Sequence, residues 1–257
     1  MSGYYFKTEG FAVGYNGTPV VSELNFGIEK GEILTLIGPN GAGKSTVLKS
    51  IARQLSAIAG CIYLADQNLL EMSAKEVSTK MAVLLTERIK SEMMTCRDVV
   101  STGRYPYTGY FGVLGEEDKR KVTEAMELVK VADLEDRDFS RISDGQRQRV
   151  MLARAIAQEP EIIILDEPTS FLDIRHKLEF LSVLEKMKEE KNVTVVMSMH
   201  ELDLAGRISD KILCLKGDVA DRFGTPEEVM EDEYIRNLFG IDEELMDFAS
   251  SRGIGLI

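Results

Sequence analysis

One segment near the N-terminus has the composition and spacing of a phosphate-binding loop. It follows the pattern G-x-x-x-x-G-K-S with Gly38, Pro39, Asn40, Gly41, Ala42, Gly43, Lys44 and Ser45, and Thr46 continues it. Glycines let backbone N–H groups wrap phosphate oxygens, and a helix start adds positive partial charge. Lys44 suits the β- and γ-phosphates of a nucleotide, and the Ser45 hydroxyl suits Mg²⁺. An ordinary glycine-rich turn is the alternative, and the complete match disfavours it.

Two adjacent carboxylates follow a second apolar run. Asp166 and Glu167 come directly after Ile162-Ile163-Ile164-Leu165, a pattern typical of a buried strand. Carboxyl ends of parallel strands are where α/β proteins bind ligands. Asp166 therefore suits a Mg²⁺ ligand, and Glu167, predicted on the other face of the strand end, suits a base that polarises an attacking water. A carboxylate pair that simply ends a strand is disfavoured by the phosphate loop upstream.

A second helix start also has the composition of a phosphate site. The polar turn Ser143-Asp144-Gly145-Gln146 changes abruptly into a long helical pattern. Such a start is superfluous within one nucleotide site. It becomes useful if two chains meet head to tail and each completes the site of the other.

Composition limits the classes of function. The chain has 257 residues, 44% of them hydrophobic, which allows one large α/β domain or two lobes. Its net charge of −12 disfavours binding to nucleic acid or to anionic lipid. No apolar run reaches the roughly 18 to 20 residues of a membrane span, no leader is indicated, and three scattered cysteines favour neither disulfides nor zinc. We expect a cytosolic protein that meets a membrane only through another protein.

The motifs lie within an alternation of strand and helix patterns. The first thirty residues predict a small antiparallel sheet with a turn at Asn16-Gly17. Strand and helix patterns alternate afterwards, as in a mostly parallel sheet covered by helices. We expect a nucleotide-binding core of residues 1–94 and 159–223, an inserted helical subdomain of residues 95–158, and an acidic helical tail of residues 224–257.

These motifs, in this order, resemble the ATP-binding cassette (ABC) ATPases over nearly the whole chain. Ile142-Ser143-Asp144-Gly145-Gln146 corresponds to the family's LSGGQ signature, with Asp144 where many cassettes have glycine. The resemblance implies a P-loop α/β fold with an N-terminal antiparallel β-subdomain. It also implies that Ser143, Gly145 and neighbouring signature residues contact the γ-phosphate held by the opposite subunit, so that two half-sites make each working site.

The resemblance assigns further roles. Tyr15 matches the aromatic that stacks on adenine, with a merely structural tyrosine as the alternative. Asp173, in the segment Ser170-Phe171-Leu172-Asp173, belongs to the loop that couples the two sites of a dimer. His200 matches the switch histidine at the γ-phosphate, whereas His176 is predicted on a polar helical face without a functional role.

One position departs from the family pattern. Glu87 aligns with a glutamine that meets Mg²⁺ and water, so the metal ligands implied are Ser45, Asp166 and Glu87. A carboxylate can ligate Mg²⁺ but adds negative charge beside Asp166 and Glu167. We expect a higher Mg²⁺ requirement or a slower basal turnover, which comparison with Glu87→Gln tests.

The segment GRYPYTG (residues 103–109) and the SDGQRQR form of the signature resemble ATPases of importers for iron chelates, haem and cobalamin. This implies ATP and Mg²⁺ as cofactors, a homodimer under two polytopic permease subunits at the cytoplasmic membrane face, and a substrate-binding protein on the other side. The permease would dock near Glu87 to Arg104, where Met93 and Met94 supply apolar contact or are core residues. A soluble cassette, such as an iron–sulfur assembly ATPase, is the alternative, and an exporter is a weaker one.

Overall fold

The computed structural model describes residues 3–85, 93–109, 112–170 and 172–252. The chain divides into two compact units, which are described separately. The first unit contains Met1–Glu71 and Val196–Ile257, and the second contains Met72–Val195. The subdomain boundaries expected from the sequence remain a proposal.

Strands and helices are numbered in chain order. The strands are β1 (Phe6–Tyr15), β2 (Thr18–Leu24), β3 (Gly27–Ile28), β4 (Ile33–Ile37), β5 (Ala57–Leu64), β6 (Gln67–Asn68), β7 (Met81–Leu84), β8 (Ile162–Leu165), β9 (Thr194–Ser198), β10 (Lys211–Lys216) and β11 (Val219–Gly224). The α-helices are α1 (Lys44–Ile51), α2 (Ala74–Lys80), α3 (Cys96–Ser101), α4 (Glu116–Leu128), α5 (Asp144–Ala157), α6 (Ile174–Lys191), α7 (Leu202–Ile208), α8 (Pro226–Val229), α9 (Asp232–Phe239) and α10 (Glu243–Ser251).

The first unit is built on a mixed sheet with the strand order β6-β5-β1-β2-β11-β10-β4, and β3 pairs with β1. Strand β1 is antiparallel to β2 and β5, while β10 is parallel to β4. Asn16 and Gly17 connect β1 to β2 with positive φ angles of 52° and 79°, as a type I′ hairpin turn requires. The predicted N-terminal antiparallel sheet is confirmed.

Strand β4 is the buried strand that leads to the phosphate loop. All five of its residues, Ile33 to Ile37, are fully buried. Because both faces of such a strand are covered, its sequence is almost continuously apolar instead of alternating. This burial gives the following loop and α1 a rigid support.

The second unit combines a parallel strand pair with helices α2 to α6. Strand β7 pairs with β8 in register from Met81↔Ile162 to Leu84↔Leu165. Between these strands lie α3, α4 and α5 together with 3-10 turns, including one over Thr102–Tyr107. The described residues of 95–158 form α-helices and 3-10 turns joined by loops, and the subdomain itself stays a prediction. Within the described residues, no helix is both long and apolar enough to cross a bilayer.

Candidate nucleotide-binding site

The phosphate loop has a backbone that only glycine accommodates. Gly38 and Gly43 have φ angles of 148° and 89°. A Cβ atom at Gly38 would lie 2.4 Å from the Leu215 carbonyl oxygen, and one at Gly43 would lie 2.5 Å from a methyl group of Val21. Backbone conformation and packing therefore both require glycine at these two positions.

Lys44 folds back over this loop. Its side chain is buried, and Nζ donates hydrogen bonds to the carbonyl oxygens of Gly38 (2.7 Å) and Pro39 (3.1 Å). Gly43 caps α1 without a side-chain hydrogen bond, and the first turn of α1 contains no acidic residue. The Lys44 ammonium group and the N-terminus of α1 therefore lie together at this loop, and both are features that bind phosphate.

Tyr15 and His200 belong to the same unit as the loop. Tyr15 ends β1 with 48% of its surface exposed, and its hydroxyl lies 3.5 Å from Oγ1 of Thr46 in α1. His200 is exposed directly after β9, where the N–H of Met199 donates to the Leu36 carbonyl of β4. The structure thus places the partly exposed ring of Tyr15 beside α1, the helix that follows the phosphate loop. It places His200 beside β4, the strand that precedes the loop.

In the second unit, the two carboxylates follow the parallel strand pair. Asp166 is 2% exposed, and its N–H donates to the Leu84 carbonyl at the end of β7. Glu167 does not lie on the other face of a strand end as predicted, because β8 ends at Leu165 and Glu167 has a φ of 48°. Glu167 therefore lies in a tight turn in which its Oε2 accepts a hydrogen bond from the Ser170 hydroxyl at 3.2 Å.

The signature turn is a fully formed helix cap. The Ser143 hydroxyl accepts from the Gln146 N–H, and the Gln146 side chain accepts from the Ser143 N–H. Asp144, the departure from the family pattern, pairs with Arg147 at 2.7 Å. The local positive charge offsets the additional carboxylate at the helix start.

A hydrogen bond links the signature helix to the carboxylate turn. Gln148 Nε2 donates to the Pro168 carbonyl at 3.0 Å, one residue after Glu167. Asp173, in the coupling loop, caps α6 by accepting from the His176 N–H. Within the second unit, the structure therefore brings together the elements that carry Ser143, Glu167 and Asp173.

Two predicted positions lie outside the described residues. These are Glu87, the proposed metal ligand, and Phe171 of the coupling loop. Sequence reasoning did not place His176 against the coupling loop, where its N–H and its ring Nδ1 both contact Asp173. The sequence contained a signal for this contact, because His176 comes three residues after Asp173. At that spacing, a capping side chain contacts the first helical turn.

Each unit carries an oxygen donor of the kind that Mg²⁺ uses. Mg²⁺ prefers oxygen ligands and is commonly held by one or two carboxylates together with substrate phosphates. The Ser45 hydroxyl and the Asp166 carboxylate are such donors. In the described ranges, no cluster of three or more His, Cys, Asp or Glu side chains could hold a metal ion by itself.

The fold and these residues define a P-loop nucleotide-binding protein. The protein-family model for ABC transporters matches residues 21–170, more than half of the chain. The chain belongs to the ABC transporter family, and it is an ATP-binding subunit that hydrolyses ATP.

Two relatives illustrate the similarity. An uncharacterised ABC transporter ATP-binding protein of Methanocaldococcus jannaschii is 46% identical over 235 residues, which cover 91% of this chain and 81% of the relative. The iron(3+)-hydroxamate import ATP-binding protein FhuC of Bacillus subtilis is 39% identical over 240 residues, or 93% of this chain and 89% of that protein.

Solved structures agree with the fold. A metal-chelate-type ABC transporter in an inward-facing conformation matches with a TM-score of 0.80 and 28% identity, covering 92% of this chain and 89% of that chain. A bacterial ABC transporter cassette solved as a dimer matches with a TM-score of 0.76 and 26% identity, covering 86% and 98%.

Proposed function

We propose that this chain is the ATP-hydrolysing subunit of an importer for an iron chelate such as a ferric siderophore, with haem and cobalamin as less favoured cargoes. The observation that carries the proposal is the similarity over nine-tenths of the chain to FhuC, an iron(3+)-hydroxamate import protein. The likeness to a metal-chelate-type transporter supports it. The cargo itself would not touch this chain.

The phosphate-loop residues bind the triphosphate in this proposal. Lys44 exchanges its bonds to the Gly38 and Pro39 carbonyls for β- and γ-phosphate oxygens, which replaces neutral acceptors with charged ones. Tyr15 stacks on adenine through its exposed ring face.

The carboxylate turn then acts on the attacking water. Glu167 orients the water and accepts its proton, while Asp166 and Ser45 hold Mg²⁺, and His200 contacts the γ-phosphate. Bound Mg²⁺ neutralises the charge that develops on the phosphate oxygens. Glu87 is a further proposed ligand of this ion.

Two copies would complete each site. Ser143, Asp144, Gly145 and Gln146 of one subunit face the γ-phosphate bound by the other, and Asp173 lies in the loop between the two sites. The dimeric cassette among the similar structures supports this arrangement. ATP binding closes the dimer beneath two permease subunits, and hydrolysis reopens it. A substrate-binding protein delivers the cargo from the other side of the membrane.

Affinity capture tests the proposal. The tagged chain is captured from detergent-solubilised membranes of its native cell, and the co-purifying proteins are identified by mass. We expect a stoichiometric polytopic permease, and vesicles containing that complex should take up a ferric siderophore only with ATP. Recovery only in the soluble fraction, with assembly proteins as partners, would reject the importer and favour the iron–sulfur alternative.

A further inference from the structure

His176 contacts the coupling loop twice. Its backbone N–H donates to Oδ1 of Asp173 at 2.9 Å, and its ring Nδ1 lies 2.9 Å from the same oxygen. An ionised carboxylate only accepts hydrogen bonds, so Nδ1 must carry the proton in this contact. The backbone bond from His176 is the largest influence on the pKa of Asp173, and together with the ring it holds that pKa below its usual value, so the acceptor is charged at neutral pH.

The same ring packs against the signature helix. A Cβ atom added at Gly145 would lie 3.8 Å from both Cγ and Nδ1 of His176, and 3.5 Å from a methyl group of Leu172. A Cβ atom would therefore just fill the space at Gly145, and the imidazole and Leu172 lie beside the first turn of α5. The His176 side chain thus contacts the coupling loop and borders the signature turn.

The ring contact adds to the restraint on an exposed carboxylate. The Asp173 side chain is 63% exposed, whereas that of His176 is 32% exposed. The backbone N–H groups of His176 and Arg175 already hold this carboxylate, and the ring Nδ1 adds a contact from a side chain. The imidazole therefore ties the Asp173 carboxylate to the first turn of α5, beside which the ring lies.

We propose that His176 is a positioning residue for the half-site that this subunit offers to its partner, because its Nδ1–H group holds Asp173 in register with the first turn of α5. The inference rests on the proposed head-to-tail function. His176 touches neither nucleotide nor water, and acts through Asp173 and Gly145. Its loss should slow turnover while leaving nucleotide binding by the phosphate loop unchanged.

A pair of variants of similar shape isolates the hydrogen bond. In His176→Asn, the amide Nδ2 occupies the position of the ring Nδ1 and can donate to Asp173, whereas His176→Leu has a similar shape without a donor. We expect His176→Leu to lower kcat for ATP about tenfold, the effect of losing one hydrogen bond to a charged group. His176→Asn should keep about half of the wild-type kcat or more.

Nucleotide affinity distinguishes a loss of Asp173 positioning from a general disturbance of the fold. Binding of a fluorescent ATP analogue to the single subunit should stay within about twofold in both variants, because the phosphate loop is intact. Equal losses of kcat in the Asn and Leu variants, or no loss in the Leu variant, would overturn the proposal. If His176→Leu does not fold, His176→Gln replaces it, since its amide is displaced from the Nδ1 position and should behave as the Leu variant.

A parallel measurement distinguishes failure of the inference from failure of the proposed dimer. Glu167→Gln is examined with ATP by size-exclusion chromatography. A monomer at every ATP concentration would reject the head-to-tail arrangement and the role of His176 with it. An ATP-dependent dimer together with full turnover in His176→Leu would reject the role of His176 alone.

Discussion

At the scale of single residues, Glu167 combines a chemical role with an unusual backbone. Its φ of 48° is uncommon for a residue with a side chain, and such conformations concentrate at functional sites. The half-buried carboxylate is oriented by the Ser170 hydroxyl at 3.2 Å. Gln148, in the signature helix, holds the carbonyl of the next residue. The turn is thus fixed on both sides of the proposed base.

We predict that Glu167→Gln binds ATP normally and loses at least about 100-fold in turnover, because an amide cannot accept the proton from water. Phosphate release gives the turnover, and chromatography with ATP should show a trapped dimer. Glu161→Gln, at the start of the same strand segment and paired with Lys80 instead, is the control and should hydrolyse ATP at the wild-type rate. Near-normal turnover of the Glu167 variant would exclude it as the base.

At the scale of elements, residues 103–109 connect α4 to the C-terminal end of α5 through the side chain of Arg104. Arg104 is 4% exposed, and it donates to Asp118 in α4 (2.9 Å), to the Ala157 carbonyl at the end of α5 (2.7 Å) and to Glu159 (3.0 Å). Its guanidinium lies over the Tyr107 ring at 4.1 Å. The importer-like segment, most of which is a 3-10 turn, therefore anchors the C-terminal end of the signature helix.

Arg104→Ala should lower the free energy of unfolding by about 3 kcal/mol, because it leaves a buried carbonyl and the Asp118 carboxylate without this donor, while Glu159 keeps only Lys121. Urea unfolding at pH 7 measures this loss. Arg104→Lys should recover part of it, since lysine keeps the charge but cannot bond three acceptors in the same fixed geometry. A change within about 0.5 kcal/mol for the Ala variant would contradict the anchoring role.

The ion pairs around Arg104 predict that the free energy of unfolding depends on pH. Burial raises the pKa of Glu159, but Lys121 and Arg104 prevail and hold it below its usual value of 4.5. The folded state therefore gains stability from ionised Glu159 above that value and loses it as the pH falls through the lower folded pKa. Glu159→Gln should be less stable than wild type at pH 7, and the difference should shrink as the pH falls below 4.5. Exposed Glu127→Gln in α4 is the control, and an equal pH dependence there would refute the assignment.

At the scale of the whole molecule, the proposed permease contact depends on an exposed apolar side chain. Met93 is 95% exposed, so the alternative that it is a core residue was wrong. Met94 is half-buried, and its carbonyl accepts from the Phe139 N–H at 3.0 Å. Methionine adapts readily to different apolar partners. Met93 is therefore the better position at which to disturb docking without disturbing the fold.

We predict that Met93→Glu lowers ATP-driven uptake about tenfold in reconstituted vesicles, because a buried charge at a docking site opposes association. ATP turnover of the subunit alone should stay at the wild-type level. Val113→Glu introduces the same charge at another position that is 75% exposed, and should leave uptake intact. Equal uptake in the Met93 and Val113 variants would contradict the docking site.

Much of the fold was readable from local patterns. Continuous apolar runs predicted β4, β8 and β9, and the turn at Asn16-Gly17 predicted the first hairpin. Strand β11, whose burial is only partial, has no such pattern and was not predicted. The turn at Glu167 was also missed, because the left-handed conformation of this residue is set by its contacts and has no sequence signal.

The sequence by itself determined the phosphate loop, the carboxylate pair and the signature turn, because each is a contiguous segment whose chemistry depends on neighbouring residues. Only the tertiary structure decided that Leu215 excludes a side chain at Gly38, that Arg104 joins α4 to the end of α5, and that His176 contacts Asp173 beside Gly145. These contacts depend on packing between segments that a linear pattern does not relate.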